Sequence, residues 1–152
     1  MLDATDRRIL AILQEDGRIT NQELSEKIGL SPTPCLRRLK RLEETGVIRS
    51  YAAIVDPKAY GLPFSVFVSV RLSQQTQDYI SEFEKAVESW SEVTECYLMT
   101  GSQDYHLRVL TDGIEGYERF LKQKVTRLKC IQSVESNFAL ATIKKRNALP
   151  PL

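Results

Sequence analysis

A chain of 152 residues is long enough for one ordinary domain or two small ones. Its 42% hydrophobic and 27% charged residues are the balance of a soluble globular protein. A formal net charge of +1 is low for a nucleic-acid binder, so the local distribution of charge carries the argument. No apolar run approaches the roughly 18–20 residues of a membrane span, and Met1 to Arg8 carry no apolar signal core. Cys35, Cys96 and Cys130 stand far apart with no C-x-x-C pair. That argues against a disulfide framework or zinc site and for a reducing cytoplasm.

Asp3 or Thr5 can start a first helix, with Ile9, Leu10 and Leu13 on its buried face and Asp16-Gly17 at its end. Thr20-Asn21-Gln22-Glu23 fits a capping box, and the helix it opens carries Leu24 and Ile28 and stops at Gly29. Ser31 opens a third helix almost at once, with Pro32 at the first helical position, where a missing N–H costs nothing. Two helices joined by so short a Gly-containing turn form a helix-turn-helix. Leu36, Leu39 and Leu42 form the expected apolar stripe of the third helix, with Arg37, Arg38, Lys40 and Arg41 between them. Gly46 ends it, and Arg49 to Val55 reads as an extended wing and linker strand.

Asp56-Pro57 and Gly61-Leu62-Pro63 mark a boundary, dividing the chain into residues 1–60 and 61–152. Beyond it, Phe64 to Leu72 alternates as a strand, and Ile80, Phe83, Val87 and Trp90 have helical spacing. Val93 to Met99 and Tyr105 to Val109 read as strands around Gly101-Ser102-Gln103. Ile114 to Leu128 has helical spacing, and Val134 to Leu140 alternates again. The order β-α-β-β-α-β is the ferredoxin-like motif, with both helices on one face of an antiparallel sheet. The expected fold class is therefore α+β, a winged helix-turn-helix followed by a ferredoxin-like half. The open sheet face is expected to carry Phe67, Leu110, Ala139, Ala141 and Ile143. That is apolar for a wet face and suits packing against a second subunit, which would set two reading helices about one DNA turn apart.

Ser31, Thr33 and Pro34 lie where a reading helix meets bases and phosphates. Arg37, Arg38 and Arg41 can share one flank, while Lys40 sits further round. The plainer alternative for this run is a charged surface helix of a protein-interaction module. In the loop Thr100 to Tyr105, Gly101 leaves the backbone open to close approach. On the residues alone Asp104 closes a tight turn by bonding its own backbone. His106 is the lone histidine, and no nucleophile-and-base pair or phosphate-cradling loop is legible, so no cofactor, metal or catalytic residue is expected.

These parts together resemble the Lrp/AsnC family of transcription regulators, the feast/famine regulatory proteins. The resemblance is carried by Leu2-Asp3-Ala4-Thr5-Asp6-Arg7-Arg8-Ile9-Leu10, by Asp16-Gly17-Arg18, and by Ser31-Pro32-Thr33-Pro34-Cys35 followed by Arg38 to Glu43. In the second half it is carried by Gly101, Asp104 and Tyr105, which match the family's effector-binding, or RAM, module. The resemblance implies sequence-specific binding of double-stranded operator DNA. It implies a homodimer joined through the RAM sheets and assembling to tetramers or octamers, and control of amino-acid metabolism or transport genes. It also implies a small effector, commonly an amino acid, bound at residues drawn from Met99, Thr100, Gly101, Ser102, Gln103, Asp104, Tyr105 and Ser136. A RAM-type sensor acting through protein partners, or a small ferredoxin-like enzyme, is the alternative.

Overall fold

The computed structural model describes residues 1–150. They fall into two compact units, Met1–Ile54 together with the residues from Ile143 onward, and Val55–Thr142. Among the described residues no helix is long and apolar enough to cross a membrane.

The first unit holds α1 (Ala4–Glu15), α2 (Asn21–Ile28) and α3 (Pro32–Glu44). Each start is written in the sequence. Asp3 caps α1 in a reciprocal box with Asp6, and Thr20 caps α2 in a box with Glu23. Gly29 ends α2 in the left-handed region at φ 75°, so Leu30 and Ser31 turn the chain directly into α3. Ile9, Leu24, Ile28, Cys35 and Leu42 make the core of this unit, with Leu39 packed against it. The stripe on α3 therefore runs through Cys35, Leu39 and Leu42. Leu36, expected within it, is instead 40% exposed. A spacing of three drifts about 60° per step around a helix, so the three leucines cannot all face one core. Residues 49–56 carry no strand pairing within the chain, in place of the expected wing strand.

The second unit begins with a single turn, α4 (Pro57–Tyr60), which the Pro and Gly punctuation had marked only as a boundary. It continues with β1 (Phe64–Leu72), α5 (Gln77–Glu88), β2 (Val93–Leu98), β3 (Tyr105–Thr111), α6 (Ile114–Gln123) and β4 (Ile131–Phe138). The second helical stretch is shorter than expected. It breaks at Lys124 into a 3-10 turn, Val125–Arg127, that still buries Val125. The strand order β2-β3-β1-β4, antiparallel throughout, is the ferredoxin-like topology. Val66, Val68, Val70, Tyr105, Leu107 and Val109 meet Phe83, Trp90, Tyr117 and Phe120 in the core.

The other sheet face is more polar than expected. In register across it stand Ser65, Phe67 and Ser69 of β1, His106, Arg108 and Leu110 of β3, and Glu135 and Asn137 of β4. Phe67 stacks on His106 with ring centroids 5.8 Å apart, and Arg108 pairs with Glu95 at 3.2 Å. Ala139, Ala141 and Ile143 lie beyond the end of β4, because pairing stops at Phe138. Ala139 still reaches β1, its N–H donating to the Ser65 carbonyl at 3.5 Å, whereas Ala141 and Ile143 carry no strand pairing among the described residues.

Cys35 and Cys130 are buried, whereas Cys96 is exposed. Burial pushes Cys35 and Cys130 up from the ordinary thiol value. Cys96, on the edge strand β2, is pushed up to about 11 by shielding and then by the Glu84 carboxylate. Native protein at pH 8 is expected to react with iodoacetamide at least about tenfold more slowly than free cysteine, because the thiolate is the nucleophile. Mass spectrometry of timed, quenched samples checks this.

Candidate DNA-reading helix and effector loop

Two prolines shape the start of α3. Pro32 and Pro34 take the first and third helical positions, and neither has an N–H. Ser31 holds the N-cap backbone geometry, at φ −73° and ψ 157°, yet its hydroxyl makes no capping bond. The usual N-cap partner, the third N–H, is missing because that residue is Pro34. The helix start consequently offers a free hydroxyl and the Thr33 N–H rather than the full cradle of N–H groups that would favour a phosphate. The amide of Asn21 ties the start down, donating to the Pro32 carbonyl at 3.0 Å.

The basic residues of α3 divide into two sets. Arg38 donates from Nη1 to Asp3 Oδ2 at 2.6 Å and to Asp6 Oδ1 at 2.9 Å. Arg41 donates from Nη2 to Asp6 Oδ2. Asp6 is fully buried. The Asp6 N–H and the Arg38 guanidinium hold the Asp3 carboxyl below its ordinary value of 3.8. Arg37 and Lys40, by contrast, are exposed, and among the described residues neither is in an ion pair. With about 100° per residue, Thr33, Leu36, Arg37 and Lys40 share the outward strip. Arg38 and Arg41 lie on the flank toward α1.

In the second unit the loop between β2 and β3 is closed by the Met99 N–H donating to the Asp104 carbonyl at 2.8 Å. Gly101 sits at φ +118°, a conformation that side chains other than glycine rarely adopt. Asp104 clamps the loop to the sheet. Its Oδ2 accepts from the Leu72 N–H at 2.7 Å, its Oδ1 accepts from the Gln75 amide at 2.7 Å, and its own N–H donates to the Val70 carbonyl at 2.9 Å. Both carboxylate oxygens are thereby engaged. The Gln103 side-chain oxygen is shielded from solvent and has no hydrogen-bond partner among the described residues.

The chain carries two family signatures in this order. Residues 2–49 match the model of the winged helix-turn-helix DNA-binding domain, and residues 65–149 match that of the Lrp/AsnC ligand binding domain. The chain belongs to the Lrp/AsnC family. It is 42% identical over 151 residues to the Bkd operon transcriptional regulator of Pseudomonas aeruginosa, covering 99% of this chain and 98% of that one. It is 38% identical over 148 residues to the leucine-responsive regulatory protein of Escherichia coli, covering 97% and 90%. Among solved structures, a transcriptional regulator from Neisseria meningitidis in complex with L-Met superposes with a TM-score of 0.95 at 39% identity, covering 99% of this chain and 97% of that one. The Escherichia coli AsnC structure gives 0.89 at 30% identity, covering 97% of each. This Lrp/AsnC chain is thus a DNA-binding transcriptional regulator with a ligand-binding domain, and not an enzyme.

Within the Lrp/AsnC fold, Ser31, Thr33, Pro34, Arg37 and Lys40 lie on the outer surface of α3, Pro34 half-buried and the others exposed. Met99, Thr100, Gly101 and Ser102 are likewise exposed in the loop. Tyr105 turns inward: it is 2% exposed and its hydroxyl donates to Glu84 at 2.8 Å. Burial and then the Glu84 carboxylate push its phenol well above the usual range. Ser136 lies on β4, with β1 between it and β3, and its hydroxyl is hydrogen-bonded to Tyr117. Sequence reasoning missed Leu36 as a surface residue, Asp6 as the partner of two arginines, and Gln75 as half of the Asp104 clamp. The reciprocal Asp3–Asp6 spacing was a signal for the second. Gln75, 29 residues from Asp104, left none.

Proposed function

We propose that this protein is a sequence-specific regulator in the cytoplasm that reads double-stranded DNA through α3 and answers to an amino acid bound at the β2–β3 loop. On this reading it controls genes of amino-acid metabolism or transport. Residues 1–60 serve as the DNA-reading half with its linker, and residues 61–152 as the RAM half. The observation that carries the effector assignment is the loop itself: Gly101 at φ +118° opens the backbone, and Asp104 holds it rigidly against β1. The backbone N–H groups at Gly101 and Ser102 suit a carboxylate. Because Asp104 is already engaged, the ammonium falls instead to the partnerless Gln103 oxygen. Met99, Thr100 and Ser102 flank the approach, while Tyr105 and Ser136 act as supports from behind.

The open sheet face is assigned to a two-fold homodimer, centred on Phe67 and Leu110 with the Arg108–Glu95 pair beside them. Such a mixture of apolar and polar groups is ordinary for a subunit interface. Dimers then assemble to tetramers or octamers. The L-Met complex of the Neisseria meningitidis relative supports an amino acid as the effector class.

A thermal-shift screen of the twenty amino acids tests the effector assignment. At a hundredfold excess over Kd, a ligand that binds only the folded protein adds about 2.7 kcal/mol of stability. That raises Tm by several degrees for a chain of this size. One or a few amino acids are expected to give such a shift, and a flat response to all twenty overturns the assignment. Sedimentation at micromolar concentration tests the dimer, and a monomer there overturns it.

A further inference from the structure

We propose that Asp6 is a positioning residue for DNA recognition: its buried carboxylate, held between Arg38 and Arg41, sets the roll of α3 and so fixes which side chains face the DNA. This rests on the assignment of α3 as the reading helix. Asp6 lies at the third position of α1, fully buried, and both of its oxygens are in use. Oδ1 accepts from Arg38, and Oδ2 accepts from Arg41 and, at 3.1 Å, from the Asp3 N–H. Asp3 in turn accepts from Arg38 and from the Asp6 N–H, the latter at 2.8 Å. The capped start of α1 and two successive turns of α3 thus form one hydrogen-bonded unit.

The apolar contacts of α3 do not provide this control alone. Cys35, Leu39 and Leu42 hold α3 against the core, but apolar contact is non-directional. Charge-assisted hydrogen bonds to a guanidinium are directional, and two of them, three residues apart on one helix, oppose rotation about its axis. Roll matters because the outward side chains reach about 6 Å from the axis, where a turn of roughly 20° carries a tip about 2 Å. Recognition constellations tolerate displacements of only about 0.5 Å. A slackened α3 would still be basic and would still meet phosphates, but Thr33, Leu36 and Arg37 would no longer meet base edges in register.

The same geometry gives Arg38 and Arg41 a role other than contact with DNA. Paired with Asp6 and Asp3, their charges are partly offset in the field that attracts phosphates. Loss of the Asp6 charge would free Arg41, with Arg38 still on Asp3, and raise affinity for DNA of any sequence. The lock therefore acts on preference more than on affinity.

Three full-length variants, Asp6→Asn, Arg38→Gln and Arg38→Lys, test this against two probes. One probe is a duplex selected from a random-sequence pool by the wild-type protein, and the other is a shuffled duplex of equal length. The readout is the ratio of the two affinities, measured beside Tm. Asp6→Asn and Arg38→Gln are expected to lower the ratio about tenfold or more, with affinity for the shuffled duplex raised in Asp6→Asn and lowered only modestly in Arg38→Gln, which removes one cation. Arg38→Lys, which restores a cation to Asp6 but has no fork for a guanine, is expected to recover most of the ratio. A lowered Tm with an unchanged ratio makes Asp6 merely structural and overturns the proposal. Loss in Arg38→Lys equal to that in Arg38→Gln makes Arg38 a direct base reader and also overturns it. Should Asp6→Asn fail to fold, the Arg38 pair decides alone. Failure of the wild-type protein to enrich any sequence removes the reading assignment of α3, and the lock with it.

Discussion

Arg37→Ala is expected to weaken binding to a selected duplex by roughly ten- to a hundredfold, the worth of one good bidentate base contact at about 1–3 kcal/mol. Arg37 is the guanidinium on α3 that, among the described residues, is both exposed and in no ion pair, with Thr33 and Leu36 beside it on the outward strip. Arg38 and Arg41 are turned to Asp3 and Asp6. Loss of a base contact relaxes preference at one position of the site. Lys40→Ala removes a cation with no planar fork, so its loss is expected to be similar on selected and shuffled duplexes and to flatten the salt dependence by about one unit of slope. Gel-shift titrations of both variants on both duplexes over a salt series separate the two roles. Equal losses for Arg37→Ala on the two duplexes would remove the base-reading assignment.

Asp104→Ala is expected to abolish the amino-acid response while leaving effector-free DNA binding in place. The carboxylate satisfies the N–H of Leu72, itself a buried residue, and holds the Gln75 amide. Truncation leaves a buried donor without a partner, at a cost of about 1–3 kcal/mol, and frees the loop from β1. Asp104→Asn is the milder change. It keeps one acceptor oxygen for the Leu72 N–H and lowers Tm less. Thermal shifts with and without the amino acid that stabilises the wild-type protein check both variants. If Asp104→Ala still gives the full ligand shift, the loop is not the effector site.

How much was legible beforehand differs between the two sites for a physical reason. Caps, breakers and periodicity act within a few residues, so Thr20–Glu23, Gly29 and the alternation of β1 and β3 placed their elements closely. The loop at Gly101 and its likeness to the family were readable in the same way. The partners of charged groups are another matter. Asp6 meets Arg38 and Arg41 across 32 and 35 residues, and Asp104 meets Leu72 and Gln75 across 32 and 29. Nothing local announces such pairings, so four basic residues in five positions read as one surface when two of them are paired with Asp3 and Asp6. The end of β4 was misjudged differently. Ala139, Ala141 and Ile143 continue an apolar alternation, but a strand persists only while a neighbour pairs with it, and past the Val66–Phe138 pair the pairing with β1 fades to a 3.5 Å bond from the Ala139 N–H to the Ser65 carbonyl.

The two prolines at the head of α3 bear on how long the protein stays at a wrong address. With N–H groups missing at two of the first three helical positions, backbone grip on phosphate is thin, and two cations of α3 are paired with carboxylates of α1 and its cap. A single reading head thus releases random sequence quickly, since hold on such DNA scales with the phosphates neutralised. On the proposed dimer, residence would come from two heads engaging neighbouring sites at once, where the second head multiplies the lifetime of the whole. A regulator built this way trades grip for speed of search, and long occupancy is reserved for DNA that presents repeated sites at the spacing of its heads.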